Sequence, residues 1–414
     1  MSSSPETQVR PLLPARRLES AFQPVYSLSH GRLVGHEALL RVFEDDGTAV
    51  PPNLLFDSLA NLEERAELDE RSLRLHLASY VAAGKADAVE WLLLNVHPAT
   101  LLQGAEGLAR IEKAIRDSEI PPSRLVIEVL ESPLSEDERL LEALTGLRAM
   151  GCLIALDDFG AGHSNFERVF ELAPHLVKLD RRVLLRAKAD ARARRILQRM
   201  VSLLHEAGSL VLLEGIETLE GGHIALTADA DFVQGYFYGR PQRDTVAHSE
   251  SCAALEQTWA TFDIHQSRHD DRWRERMAEH CDQLRLASIE LAAGAKLEDA
   301  CRSFLELPHA SMCYLLDQQG RQLHEVAFKD GANRLALSHS EQFAPLHDTR
   351  GARWSRRQYF RRAVTFTGAV QITRPYLTLQ GGRMCFTASV AFEIEDQLVI
   401  LCGDLVVGEV GSTA

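Results

Sequence analysis

The chain has 414 residues, 45% of them hydrophobic and 25% charged, so it can bury full cores and is not a disordered polymer. A formal net charge of -14 argues against an extended, sequence-independent grip on a nucleic-acid polymer, while a small phosphate ester held through divalent cations stays open. Seven scattered cysteines with no Cys-x-x-Cys pair fit a reducing compartment and speak against a disulfide framework or a zinc knuckle.

The opening MSSSPETQVRPLLPARR has no apolar segment of the kind a secretory signal needs, and residues 1–17 read as a disordered tail. No apolar run approaches the roughly 20 residues of a membrane helix. The expectation is a cytoplasmic protein without membrane insertion. From there strand-like runs recur: FQPVYSL (22–28), EALLRV (37–42), WLLLNV (91–96), LVIEVL (125–130), LIALDDF (153–159), LVKLD (176–180), LVLLEGI (210–216) and FVQGYFY (232–238). Amphipathic helical stretches separate most of them from the second run on. Apolar strands alternating with such helices predict a parallel sheet covered on its outer face, and about eight of them fit a closed (β/α)8 barrel over residues 18–247. The first two runs are joined only by SHGRLVGH, too short for a crossover helix, so the first strand should run antiparallel to the rest.

After GRPQRD the pattern changes. Residues 248–306 carry helical periodicity at Leu255, Trp259 and Phe262, then at Trp273, Met277, Leu284 and Leu291, with the polar HQSRHDDRWRER between the two sets; this predicts a helical connector. Over 307–411 strand-like runs return as SMCYLLD, QLHEVAF, AVQITRPYL, RMCFTASVAFEI and QLVILCGDLVV, a smaller antiparallel α+β domain.

Polar residues within the apolar runs of the barrel fall near strand ends, where barrels of this kind carry their chemistry. They are Glu37, Asn95, Glu128, Asp157, Asp158, Lys178, Asp180, Glu214, Glu217 and Gln234. Each alone has an ordinary explanation: a strand-end Asp caps a helix, an Asn caps a loop, a Lys reaches solvent. Carboxylates inside apolar strands cost several kcal/mol unless paired or metal-bound, and so many on separate strands predict one metal site. Oxygen donors without Cys favour Mg²⁺ or Mn²⁺ over Zn²⁺. The adjacent Asp157 and Asp158 point to two ions, both side chains reaching the site if the strand ends there. Two ions can clamp a phosphodiester and generate hydroxide, with Lys178 orienting that water or meeting the developing charge.

In their order along the chain, GHEALLR (35–41), LNVHP (94–98), EVLE (128–131), LDDFGAGHSN (156–165), KLD (178–180), EGIET (214–218) and QGYFYGRP (234–241) make this segment resemble the EAL-domain cyclic di-GMP phosphodiesterases. The resemblance implies a modified barrel with an antiparallel first strand and hydrolysis of cyclic di-GMP to linear pGpG. It implies Glu37, Asn95, Glu128, Asp157, Asp158 and Glu214 as metal ligands. Lys178 would position the attacking water, Glu217 and Gln234 would complete the surround, and Asp180 would stand behind the ligands on the substrate side. Gln23, Leu39 and Arg41 match positions that hold the dinucleotide. Glu131 matches a glutamate that holds the loop after the fifth strand. His97 and His163 depart from the family pattern, where a Ser and a Tyr are common, and leave the ligands intact.

Residues 307–411 are faintly similar to PAS/Cache sensor domains through WSRRQYFRRAV, ITRPY and CGDLVV, which implies a pocket for an unknown small ligand at Tyr359, Arg361, Tyr376 and Asp404. The expectation is an active enzyme regulated by this domain, against a catalytically weak or inactive cyclic di-GMP receptor or a scaffold. EAL barrels commonly pair, so the resemblance also implies a homodimer.

Overall fold

The computed structural model describes residues 16–86, 88–130, 138–162, 166–243, 252–329, 349, 351–377 and 384–406. The chain divides into two compact units with the border between His265 and Gln266. In the first unit, strands β1 (Arg17–Ser27) and β2 (Arg32–Phe43) form a long antiparallel hairpin. Its turn places Gly31 at φ +63, left-handed backbone that glycine adopts without steric cost. The short β3 (Ala49–Val50) pairs with the end of β2. Helices α1 (Pro52–Asp57) and α2 (Leu62–Ala82) follow, then β4 (Trp91–Val96), α3 (Pro98–Leu101), α4 (Ala105–Arg116), β5 (Leu125–Leu130), α5 (Glu138–Ala149), β6 (Leu153–Phe159), α6 (Phe166–Leu172) and β7 (Leu176–Leu179). Helices α7 (Arg181–Ala189) and α8 (Ala191–Glu206), strand β8 (Leu210–Leu213), helix α9 (Leu219–Ala228) and strand β9 (Phe232–Val233) complete the sequence of barrel elements.

Helix starts are written in local chemistry. Asn61 caps α2 by accepting from the Glu64 amide at 2.9 Å, and Glu64 reaches back to the Ala60 amide at 2.9 Å. Asp190 caps α8 and Thr218 caps α9 in the same way.

The sheet order is β1-β9-β8-β7-β6-β5-β4-β2, and the β1–β2 pairing closes it into a barrel. From β2 through β9 neighbours around the barrel are parallel, and β1 is antiparallel to both β2 and β9, as the short first connection requires. The last barrel strand is much shorter than the run FVQGYFY, because the backbone turns away after Val233.

Side-chain alternation fixes what fills the barrel. Val25, Leu93, Val126, Ala155, Leu176, Leu212 and Phe232 form one buried apolar cluster. Two residues further toward the C-terminal end of each parallel strand, on the same face, stand Asn95, Glu128, Asp157, Lys178, Glu214 and Gln234. On the reversed β1 the same step runs toward its N-terminus and reaches Gln23, which pairs with Glu37 of β2. The apolar layer is thus a floor and the polar layer lies on it.

Helix α10 (Ala253–Ala292) contributes Leu255 and Trp259 to the first unit, with the Trp259 indole donating to the Leu28 carbonyl at 2.9 Å. In the second unit, Leu284, Ala287 and Leu291 of α10 pack with α11 (Leu297–Ala300) and α12 (Arg302–Glu306) on one face of an antiparallel sheet. That sheet runs β11 (Gln322–Phe328), β10 (Ala310–Leu316), β15 (Gln397–Val406), β14 (Met384–Ile394), β12 (Gln371–Ile372), with β13 (Tyr376–Leu377) also on β14. Helix α13 (Gln358–Thr365) covers the other face through Tyr359, Phe360 and Ala363. The run AVQITRPYL divides into β12 and β13, since Pro375 interrupts it.

Gly235 follows the polar layer directly, and a Cβ there would lie 2.1 Å from the Ile216 carbonyl oxygen. Gly235→Ala should destabilise the first unit by about 3 kcal/mol, read as a fall of several degrees in the melting temperature. An unchanged melting temperature would show that the backbone relaxes there without cost.

Candidate metal centre

The centre of the polar layer is Lys178 on β7, 1% exposed. Its Nζ lies 2.8 Å from Glu128 Oε1, 2.8 Å from Glu214 Oε1, 3.2 Å from Asp157 Oδ1 and 3.3 Å from Glu37 Oε1. Burial disfavours the ammonium, but Asp157, Glu128, Glu214 and Glu37 outweigh that and hold it well above the ordinary lysine range.

Glu37 is oriented from two sides. Asn95 Nδ2 donates to Oε1 at 3.0 Å and Gln234 Nε2 to Oε2 at 2.8 Å. Burial would raise its carboxyl, yet the Lys178 charge and these two hydrogen bonds hold it below the usual value. Glu128 is 1% exposed, and Lys178 is its partner at Oε1 while Oε2 accepts no hydrogen bond. Burial and the neighbouring Glu37 push it well above the carboxylate range. Burial likewise raises Glu214 to about 8, with Asp157 and Glu37 adding to the shift against Lys178. Carboxylates this crowded disfavour one another's ionisation, and a cation between them removes the penalty.

Asp157 and Asp158 both reach the site by a route other than a strand end. Strand β6 continues through Phe159, but its register against β7 slips between Leu156 and Phe159. The extra residue of this bulge is Asp158, at φ +58, a conformation Asp tolerates better than most residues. The bulge turns a side chain that would point outward toward the mouth. Burial, Asp157 and Asp180 raise the Asp158 carboxyl.

Two groups of carboxylates each offer ligand atoms within 4.8 Å of one another: Glu37, Glu128 and Asp157, and Asp157, Asp158 and Glu214. Asp157 belongs to both. The donor set is all oxygen, the carboxylates outnumber the Lys178 ammonium, and Glu128 keeps a buried oxygen, Oε2, without a hydrogen bond. These residues fit two divalent cations sharing Asp157.

The other predicted residues of the barrel lie outside these two groups. Gln23 and Leu39 lie on the inward faces of β1 and β2, and Gln23 Nε2 donates to the Gly239 carbonyl at 3.2 Å. Arg41, two residues beyond Leu39 on β2, donates to the Leu40 carbonyl at 3.0 Å. Asp180 caps α7, accepting from the Arg182 amide at 2.9 Å. Glu217 is not among the carboxylates around Lys178; it is exposed and held by Arg181, with N–O distances of 2.9 and 3.0 Å. His97 caps α3 through Nδ1, which accepts from the Ala99 amide at 3.0 Å, so it fills a role a Ser often fills. Glu131 and His163 lie outside the described residues.

Sequence reasoning passed over Asp69, buried on α2 at 3% exposure and accepting from the His97 amide and the Thr100 hydroxyl. Its signal was spacing: with Ala66, Leu73, His76 and Tyr80 it occupies the buried stripe of α2.

In the second unit Tyr359, Tyr376 and Asp404 gather, and Arg361 stays exposed. The Tyr359 and Tyr376 rings are 6.0 Å apart, the Tyr376 hydroxyl pairs with Thr387 Oγ1 at 2.5 Å, and Thr387 Oγ1 donates to Asp404 Oδ1 at 2.7 Å. Burial raises the Asp404 carboxyl to about 7, against the hydrogen bonds from Thr387 and Tyr314.

A family profile described as EAL domain matches residues 6–241, more than half of the chain. The chain is 30% identical over 225 residues to the cyclic di-GMP phosphodiesterase RocR of Pseudomonas aeruginosa, covering 54% of this chain and 57% of RocR. It therefore spans less than two thirds of that relative's length. Among solved structures it is similar to Bacillus subtilis YkuI, an EAL-domain protein in complex with cyclic di-GMP and calcium. The TM-score is 0.76 at 23% identity over 94% of this chain and 96% of YkuI, a likeness of fold. The PaMucR phosphodiesterase in complex with c-di-GMP aligns with a TM-score of 0.50 and 25% identity, over 54% of this chain and 92% of that one.

The Asp404 carboxyl gives a pH signature. Its value is about 7 in the fold and about 3.9 in an unfolded chain, so between these the native state holds a proton the unfolded state has released. Its contribution is therefore greatest below pH 4 and is lost as pH rises through 7. Asp404→Asn should gain stability relative to wild type by about 3 kcal/mol between pH 5 and pH 8. Parallel denaturation curves for the two proteins at both pH values would refute this.

Proposed function

This chain belongs to the EAL domain family, and from that premise we propose that it is a metal-dependent phosphodiesterase that hydrolyses one phosphodiester of cyclic di-GMP to linear pGpG. The observation that carries this reading is the pair of carboxylate groups sharing Asp157 around a buried Lys178. Glu37, Asn95, Glu128 and Asp157 would hold one divalent cation, and Asp157, Asp158 and Glu214 the other. The all-oxygen donor set suits Mg²⁺ or Mn²⁺. Bound there, the ions supply Lewis acidity toward the phosphate and a nucleophile at neutral pH.

The residues of the chain have separate tasks in this reading. Asn95 and Gln234 fix the orientation of Glu37 through their amide donors, which leaves Asn95 Oδ1 for a cation. Lys178 keeps a positive charge at the centre of the site and offers donors to the attacking water and to negative charge building on the phosphate. Its fully buried position means that no reorganisation of bulk water is needed as that charge develops. Gln23, Leu39 and Arg41 on the β1–β2 hairpin supply the side of the mouth where the dinucleotide binds, Arg41 suiting a phosphate oxygen. Glu217, held by Arg181, serves from the rim. In the same reading the second unit regulates the barrel, with Tyr359, Tyr376 and Asp404 as its candidate ligand contacts, and the protein acts as a homodimer.

With Mn²⁺ or Mg²⁺, wild-type protein should convert cyclic di-GMP to pGpG, resolved by chromatography. Lys178→Met should lower kcat by roughly 10²–10³-fold, the loss typical of a preorganised charge-stabilising donor. Glu37→Ala should remove metal-dependent turnover. Tight nucleotide binding without linear product under any metal would make the protein a receptor instead, and absence of binding in calorimetry would leave only a scaffold.

A further inference from the structure

We propose that Asp69 is a positioning residue of the metal centre, acting from helix α2 on the turn that follows Asn95; this rests on the metal-centre reading above. Asn95 is the last inward-facing residue of β4, and its side chain is exposed at the mouth. A side chain at such a strand end is held only as well as the backbone beyond it. That backbone, Val96 to Thr100, turns directly into α3.

Three contacts hold the turn. Asp69 Oδ2 accepts from the His97 amide at 3.1 Å and from the Thr100 hydroxyl at 2.6 Å. Thr100 is fully buried and Asp69 is 3% exposed. The His97 ring stacks on Phe56 of α1, centroids 4.8 Å apart and planes 4° from parallel. Burial raises the Asp69 carboxyl to about 7, against the hydrogen bonds from Thr100 and the His97 amide, so a charge here is costly and the side chain serves through its acceptor oxygen. What Asp69 supplies is an acceptor oxygen with two lone-pair directions, able to hold an amide and a hydroxyl three residues apart at once, which an Asn carbonyl oxygen could also do and an Ala could not. The result ties α2 to the backbone two residues from Asn95, and Asn95 in turn donates to Glu37 at 3.0 Å. Asp69 touches none of the proposed ligands and acts only through the turn.

The test is Mn²⁺ binding to the full chain, measured by electron paramagnetic resonance of free Mn²⁺ and by calorimetry, with melting temperatures recorded alongside. Asp69→Ala should weaken Mn²⁺ binding about 10–100-fold, as loss of a group that orients a metal ligand does. Asp69→Asn keeps an acceptor oxygen for both donors and should restore binding to within about threefold of wild type. Thr100→Val, which deletes one of the two hydrogen bonds and preserves shape, should weaken it about fivefold. Asp69→Ala combined with Asn95→Ala should bind no worse than Asn95→Ala alone, since both losses act through one ligand. The assignment is overturned if Asp69→Ala lowers the melting temperature but binds Mn²⁺ like wild type, or if the two substitutions add. Should Asp69→Ala fail to fold, normal Mn²⁺ binding by Thr100→Val overturns it. Wild-type protein that binds no Mn²⁺ would remove the metal-centre reading itself, a distinct outcome.

Discussion

One buried ammonium organises the first unit. Lys178 sits within 3.3 Å of carboxylate oxygens from Glu37, Glu128, Asp157 and Glu214, each delivered by a different strand. An apolar environment tolerates neither partner alone, and the ammonium does not neutralise all four carboxylates. The remaining negative charge must be relieved by protonation, toward which burial and neighbouring carboxylates push Glu128 and Glu214, or balanced by divalent cations. A protonated cluster and a cation-bound one would therefore be competing states of the same side chains, and binding a cation would release protons.

The barrel makes this concentration of charge feasible. Its apolar floor, from Val25 to Phe232, excludes water from below, and the alternation of each strand puts the next inward residue on one level above it. Two local departures from regularity then finish the site. The bulge at Asp158 swings an extra carboxylate to the mouth, and the hairpin that reverses β1 brings Gln23 opposite Glu37. The bulge interrupts the β6–β7 pairing, whereas β1 stays paired with both β2 and β9.

The second unit treats its buried carboxylate differently. Asp404 has no ammonium near it among its hydrogen-bond partners; Thr387 and Tyr314 hydroxyls face it, at 2.7 and 3.5 Å. Burial outweighs these neutral donors, so Asp404 stays protonated to a higher pH than an exposed Asp. Asp69 in the first unit, likewise held by an amide and a hydroxyl, is raised to about 7 by burial in the same way.

The sequence alone determined the strand runs, the antiparallel hairpin, the helical character of residues 253–292 and the polar residues at the barrel strand ends. Those features are local: apolar runs, a connection too short for a helix, and ordered motifs are visible residue by residue. Only the tertiary structure decided that Asp158 arrives through a bulge, that β9 stops after Val233, that Arg181 draws Glu217 to the rim and that Asp69 braces the turn after Asn95. These depend on strand stagger and on contacts between segments far apart in the chain. A slip of one residue in register sends a side chain to the opposite face, and nothing in the adjacent sequence records which strand it will be measured against.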